Sequence, residues 1–296
     1  MSRLRVLVAR RLFPEVVAQL AEHFEVRTSE EAPGGLQGAE LVAALQGCAG
    51  VLIGGTERID AALLEACPQL RAVCSMAVGT NNIDIEACTA RGVLVSNAPG
   101  VLTETTADFG FALMMAAARR ITEAEHFLRA GRWQHWAYDM LAGADIHGST
   151  LGILGMGRIG QAIARRGVLG FGMQLIYHNR SRLPEAEEAA LNARYVDKTT
   201  LLRQADHLVL VLPYSPQAHH AIGAAELALM KPSATLTNVA RGGIVDDAAL
   251  AVALRERRIA AAGLDVFEGE PAIHPALLSL PNVVLTPHIA SASLPT

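Results

Sequence analysis

The chain has 296 residues, about twice the length of a typical domain, so two domains are expected. With 51% hydrophobic and 18% charged residues it can build two cores and is not a disordered chain. A formal charge of −4 without any Lys/Arg-rich block offers no basic field for nucleic acid, and no apolar run is long enough to span a bilayer. Met1-Ser2-Arg3-Leu4-Arg5 leads into a strand rather than a signal peptide. Cys48, Cys67, Cys74 and Cys88 lie in the first third without metal-ligand spacing, so they are expected as free thiols in a reducing cytoplasm, with no metal.

In chain order, strand-length runs at Leu4–Ala9, Phe24–Thr28, Gly50–Ile53, Arg71–Ser75 and Val93–Ser96 alternate with helical patterns at Pro14–His23, Gly38–Gln46, Asp60–Ala66 and Asp84–Ala90. Pro14 suits a helix start, and Asp60 and Asp84 are placed to cap helices. Such alternation predicts a parallel sheet covered on both faces. Asn97-Ala98-Pro99-Gly100 breaks the pattern, and the helix expected over Thr103–Arg120 is apolar nearly all round, which predicts burial on every side. Residues 121–149 read as polar and irregular, with Trp133, Trp136 and Tyr138 anchoring packing. A second α/β series follows, with strands expected at Leu151–Leu154, Gln174–Tyr177, His207–Leu212, Ala234–Asn238, Ala260–Leu264 and Asn282–Thr286.

The second series opens on Thr150-Leu151-Gly152-Ile153-Leu154-Gly155-Met156-Gly157-Arg158-Ile159-Gly160, a strand, Gly-x-Gly-x-x-Gly and a helix start. Gly155 permits the tight turn and Gly157 lets backbone approach a pyrophosphate. Gly160 lets the helix pack closely, with its N-terminal amides favouring phosphate. This predicts a dinucleotide site. The next strand ends in Tyr177-His178-Asn179-Arg180-Ser181-Arg182, where an NAD site places a carboxylate for the adenine ribose. Neutral Asn179 with Arg180 and Arg182 instead suits a 2′-phosphate, which predicts NADP over NAD, with NAD still usable. Three later strands end in Asn238-Val239-Ala240-Arg241-Gly242-Gly243, Leu264-Asp265-Val266-Phe267-Glu268-Gly269-Glu270-Pro271 and Thr286-Pro287-His288. A guanidinium suited to carboxylates, an acid and an imidazole thus follow the nucleotide fingerprint at the sheet edge where ligands bind.

Together with Val78-Gly79-Thr80-Asn81-Asn82-Ile83-Asp84 and Thr105-Thr106-Ala107-Asp108, these motifs resemble those of the D-isomer-specific 2-hydroxyacid dehydrogenase family over nearly the whole chain. Within that family the sequence is most similar to glyoxylate/hydroxypyruvate and 2-ketogluconate reductases. The resemblance implies an α/β protein of two doubly wound parallel-sheet domains with a cleft between them, usually as a homodimer. Residues 1–98 would form a flavodoxin-like substrate domain and 99–288 a Rossmann NAD(P)-binding domain. Family members continue past Pro-His for some tens of residues, through a helix that returns to the first domain; here the sequence departs from that pattern by ending at Thr296, and 289–296 are assigned to the return.

The resemblance also implies roles. Arg241 would hold the carboxylate of a 2-keto acid and polarise its keto oxygen. His288 would donate a proton to that oxygen, and Glu270 would hydrogen-bond the other imidazole nitrogen, favouring imidazolium. Amides of Val78 and Gly79 would bind the substrate carboxylate as an anion nest. Arg158 and Ile159 would contact the pyrophosphate and Asp265 the nicotinamide carboxamide, with further cofactor contacts from Thr106, Leu212, Pro213, Val239 and Ala240. Ile53-Gly54-Gly55 replaces the basic residue of relatives acting on a phosphorylated acid, which disfavours phosphorylated substrates, and Glu270 argues against formate dehydrogenases, which carry glutamine there. The alternative is a nucleotide-sensing binding protein without turnover, like corepressors of the same superfamily; Arg241, Glu270 and His288 weigh against it.

Overall fold

A computed structural model of the chain describes residues 3–29 and 34–296; Met1 and Ser2, ahead of the first expected strand, lie outside the described residues. The chain divides into two compact units, 1–100 and 101–296. The division falls two residues beyond the expected boundary at 98. Residues 289–296 group with the second unit, where Ser293 and Thr296 hydroxyls hydrogen-bond Thr105 Oγ1 at 3.2 and 2.8 Å, instead of returning to the first.

The first unit runs β1 (Arg5–Val8), α1 (Pro14–Ala21), β2 (Glu25–Thr28), α2 (Gly38–Leu45), β3 (Gly50–Ile53), α3 (Ala61–Ala66), β4 (Ala72–Ser75), α4 (Ile85–Ala90) and β5 (Leu94–Ser96). The helices start where local chemistry fixes them. Pro14 occupies the first turn of α1, Asp60 accepts from Leu63 N, and Asp84 accepts from Ala87 N. All strands pair parallel in the order β2-β1-β3-β4-β5, the flavodoxin-like arrangement. Leu7, Val51, Ile53 and Val73 from the sheet pack with Leu41, Leu45 and Leu64 from the helices.

The second unit runs α5 (Thr103–Ala118), α6 (Ile121–Arg129), β6 (Thr150–Leu154), α7 (Arg158–Arg165), β7 (Gln174–His178), α8 (Glu185–Leu191), β8 (Ala193–Tyr195), α9 (Lys198–Gln204), β9 (His207–Leu210), α10 (Ala224–Leu227), β10 (Thr235–Asn238), α11 (Asp247–Arg255), β11 (Ala261–Leu264), α12 (Pro275–Leu278) and β12 (Val283–Leu285). Its parallel sheet has the order β12-β11-β10-β9-β6-β7-β8, so the strand order reverses between β6 and β9. That is the switch point outside which nucleotides bind in doubly wound sheets. Side-chain alternation feeds a core on each face: Leu208 and Leu210 enter one, and Val209, between them, enters the other.

Two segments depart from the sequence reading. Residues 121–129 form α6 instead of irregular chain, because Ala124 and Phe127, one turn apart, give a short amphipathic helix a half-buried stripe. The α5 helix is buried or half-buried except for one exposed line, Glu104, Asp108 and Ala112, four residues apart. The two acids on that line pair with Arg165 and Arg166 at the end of α7. No helix among the described residues is long and apolar enough to cross a membrane, and all four cysteines are free thiols.

Candidate active site

The loop after β6 has the shape that its glycines dictate. Gly155 takes φ +105, and a Cβ there would stand 2.5 Å from Leu212 N; one on Gly160 would stand 2.4 Å from Gly155 O. Backbone therefore packs on backbone at both positions: a side chain at Gly155 would force the loop away from the segment after β9, and one at Gly160 would force α7 away from the loop. Gly157, which precedes α7, has nothing within 4 Å of a built Cβ. The open approach to a helix N-terminus fits a pyrophosphate. Arg158, exposed, and Ile159, half-buried, form the first turn of α7. Thr106 on α5 adds a second mark of fit: its hydroxyl is buried and has no partner among the described residues. A buried hydroxyl ordinarily has a hydrogen-bond partner, and a cofactor group can supply one. Leu212 is half-buried and Pro213 exposed after β9; Val239 and Ala240 are buried after β10.

At the end of β7 the three expected selectivity residues separate. Asn179 Oδ1 accepts from Met156 N at 2.6 Å and so pins the glycine loop. Arg180 is exposed and makes no hydrogen bond or ion pair among the described residues. Arg182 instead donates from Nε and Nη2 to Glu188, at 2.9 and 2.6 Å, and Tyr177 donates its hydroxyl to the same carboxylate at 2.5 Å. The hydrogen bonds from Arg182 and Tyr177 hold Glu188 far below the usual carboxylate range, at about 2, so it stays ionised. The guanidinium of Arg182 thus has a strong internal partner, which sequence spacing alone could not reveal.

Arg241 follows β10 on a turn held by Asn238, a residue that the sequence reading gave no role. Asn238 Oδ1 accepts from Ala240 N at 3.0 Å and its amide donates to Arg241 O at 3.2 Å. An asparagine closing its own downstream turn is a legible signal. Arg241 Nη1 donates to Ala240 O at 2.7 Å. Burial pulls the guanidinium below its ordinary pKa, opposed by the charge of Glu270, yet an arginine remains charged in proteins. The neighbouring Gly242 brings the two loops together: a Cβ there would stand 1.7 Å from Phe267 O.

Glu270 and His288 meet as expected. His288 Nδ1 and Glu270 Oε2 are 2.7 Å apart, while Glu270 Oε1 accepts from Phe267 N at 2.8 Å. Burial pushes the Glu270 carboxyl up, but the bonds from His288 and Phe267 N and the charges of His288 and Arg241 bring it below its ordinary value overall. A depressed carboxyl stabilises the fold above its unfolded pKa, and that contribution is lost as pH falls through the folded value. His288 Nε2 has no partner among the described residues, and the side chain is 42% exposed.

Asp265 is fully buried, and its oxygens accept from Thr286 Oγ1, Ile289 N and Ala290 N at 2.7, 2.9 and 2.8 Å. Its carbonyl accepts from His288 N at 2.8 Å, and His288 takes the left-handed φ of +55. The structure therefore gives Asp265 the work of clamping the loop that presents the imidazole. Asp247, also unassigned from sequence, accepts from Glu268 N at 3.1 Å and steadies the preceding loop. In the first unit, Val78 and Gly79 lie half-buried after β4, with Val78 O accepting from Asn97 Nδ2 at 2.7 Å.

The family model for the NAD binding domain of D-isomer specific 2-hydroxyacid dehydrogenases matches residues 111–290. The chain belongs to this family. Like other members of the family, it is an NAD(P)-dependent oxidoreductase. It is 45% identical to a glyoxylate reductase of Thermococcus onnurineus over 98% of this chain and 87% of that one. A glyoxylate/hydroxypyruvate reductase B of Klebsiella pneumoniae is 47% identical over 97% and 88% of the two chains. Among solved structures, an NADPH-dependent glyoxylate/hydroxypyruvate reductase from Sinorhizobium meliloti in complex with NADP and malonate superposes with a TM-score of 0.86. It is 38% identical and covers 99% of this chain and 89% of its own.

Proposed function

We propose that the protein reduces small 2-keto acids to D-2-hydroxy acids with NADPH, taking glyoxylate and hydroxypyruvate foremost and 2-ketogluconate as a longer substrate. The observation that carries this reading is the 2.7 Å His288–Glu270 pair, electrostatically coupled to Arg241 at the carboxyl ends of β10, β11 and β12. The bound nicotinamide supplies the hydride. Arg241 orients the substrate carboxylate and draws electron density from the keto carbon by polarising its oxygen. Glu270 accepts from Nδ1, which fixes the ring with Nε2 outward, and Nε2 delivers the proton to the developing alkoxide. The amides of Val78 and Gly79 are proposed as additional carboxylate donors. A binding protein without turnover would have no use for the acid–imidazole couple. Loss of absorbance at 340 nm with NADPH and each of the three keto acids is the expected result; no turnover with any of them would refute the reading.

The preference for NADPH rests on Asn179 and Arg180. Asn179 meets the glycine loop without the negative charge that would repel a 2′-phosphate, and Arg180 has its guanidinium available. Charge-assisted hydrogen bonds contribute roughly 1.5–3 kcal/mol each, so Asn179→Asp with Arg180→Ala should lower the ratio of kcat/KM for NADPH over NADH by about tenfold or more. Arg182→Ala should leave that ratio unchanged and weaken the fold instead, because its partner is Glu188. An unaltered ratio in the double variant would refute the assignment.

Trp136 and Tyr138 meet edge-on with ring centroids 4.4 Å apart, but Trp133, Trp136 and Tyr138 remain 54%, 63% and 93% exposed, so most of their apolar surface is left uncovered among the described residues. A second copy covering them, in a homodimer, is the proposed arrangement, and light scattering should report a dimer rather than a monomer. Four free thiols support a reducing, cytoplasmic setting, which cell fractionation tests.

A further inference from the structure

Two imidazoles and a carboxylate converge beside the Arg241 and Glu270 loops without taking part in the proposed reduction. His219 and His220 stand on the segment between β9 and α10, their rings stacked with centroids 3.9 Å apart and planes at 21°. His220 Nε2 lies 2.8 Å from Glu268 Oε2, and His219 Nε2 lies 3.8 Å from Glu268 Oε1. The ligand-type atoms of all three residues fall within 4.8 Å of one another. Their outer nitrogens also face polar groups: His219 Nδ1 is 3.3 Å from the Tyr214 hydroxyl, and His220 Nδ1 is 4.0 Å from Asp246 Oδ2. His220 is held at φ +49 by its N–H donating to Gly243 O at 2.7 Å. A bulky residue kept in the left-handed region needs its surroundings to hold it there, and such residues concentrate at functional positions.

We propose that His219, His220 and Glu268 form a binding site for a transition-metal dication of the Zn²⁺, Ni²⁺ or Co²⁺ class. Two imidazoles with one carboxylate suit these borderline cations, whereas Ca²⁺ and Mg²⁺ select oxygen-rich sites. The Tyr214 hydroxyl is within hydrogen-bonding reach of His219 Nδ1 and is placed to orient that imidazole, and Asp246 adds a negative charge 4.0 Å from His220 Nδ1. With metal–ligand bonds of about 2.0–2.2 Å, tetrahedral ligand atoms stand roughly 3.4 Å apart, so on binding the 2.8 Å His220–Glu268 pair opens, the 3.8 Å His219–Glu268 pair closes, and the stacked rings rotate until both Nε2 lone pairs point at the ion. All three are partly exposed, which gives an ion access and leaves its remaining positions to water. The ligands come from two separate loops, so the ion cross-links them. Glu268 lies two residues from Glu270, and the Gly243 carbonyl that holds His220 lies two residues from Arg241.

Titration of the full chain with Co²⁺, followed by its visible absorption and by calorimetry, tests the site. One ion per chain is expected, with a rise in the thermal unfolding temperature. His219→Phe keeps a flat ring against His220, and His220→Asn keeps a residue that tolerates the left-handed backbone; each should weaken binding by about tenfold or more, as should Glu268→Gln. Folding of each variant is checked by circular dichroism, and if one does not fold the other two decide. His288→Gln should bind Co²⁺ like the unaltered chain. Absence of binding, binding that survives all three ligand substitutions, or binding abolished by His288→Gln would overturn the proposal.

Discussion

His288→Gln is expected to lower kcat for keto-acid reduction by about 10²–10⁴-fold while changing KM little. Glutamine retains a hydrogen-bonding side chain, but its amide N–H is far too weak an acid to give up a proton; proton delivery is needed only as the alkoxide develops, so the loss belongs to the transition state. The loop should remain in place, because Asp265 holds it through Thr286 Oγ1 and the amides of Ile289 and Ala290, none of which the substitution touches. Steady-state NADPH oxidation with glyoxylate measures both constants. A fall in kcat of only a few-fold would mean that another group supplies the proton.

Arg241→Ala should act differently, raising KM and lowering kcat together. The guanidinium serves the substrate carboxylate in the ground state and the keto oxygen more strongly as charge develops. Two charge-assisted hydrogen bonds at roughly 1.5–3 kcal/mol each correspond to a loss of about 10²–10⁴-fold in kcat/KM. Arg241→Lys should recover little of it, since an ammonium keeps the charge without the planar fork. Equal, mild effects at 241 and 288 on the same constants would contradict the division of labour between them.

Both sheets and the glycine loop were readable because their signals are local. A run such as His207–Leu212 and a turn such as Gly155–Gly160 carry their own reasons within a few residues, and Asp60 and Asp84 cap the helices that their positions foretell. The pairing of His288 with Glu270 came from matching motifs, since 18 residues of chain separate them and no periodicity relates them. Features that depend on an unforeseen partner were not readable. Arg182 is fixed by Glu188, a residue of α8 whose inward direction depends on the packing of Tyr177. Asp265 is occupied by amides from a loop more than twenty residues later. α6 is faint in the sequence because it is nine residues long, buries no side chain fully, and runs directly into an aromatic, glycine-containing stretch without helical period.

A crystal structure of the complex with NADP⁺ and a 2-keto acid analogue such as oxamate addresses the proposed chemistry most directly. The analogue's keto-type oxygen should lie within hydrogen-bonding distance of both His288 Nε2 and the Arg241 guanidinium, with His288 Nδ1 still on Glu270. An analogue bound with that oxygen turned away from the imidazole, or an imidazole released from Glu270, would contradict it.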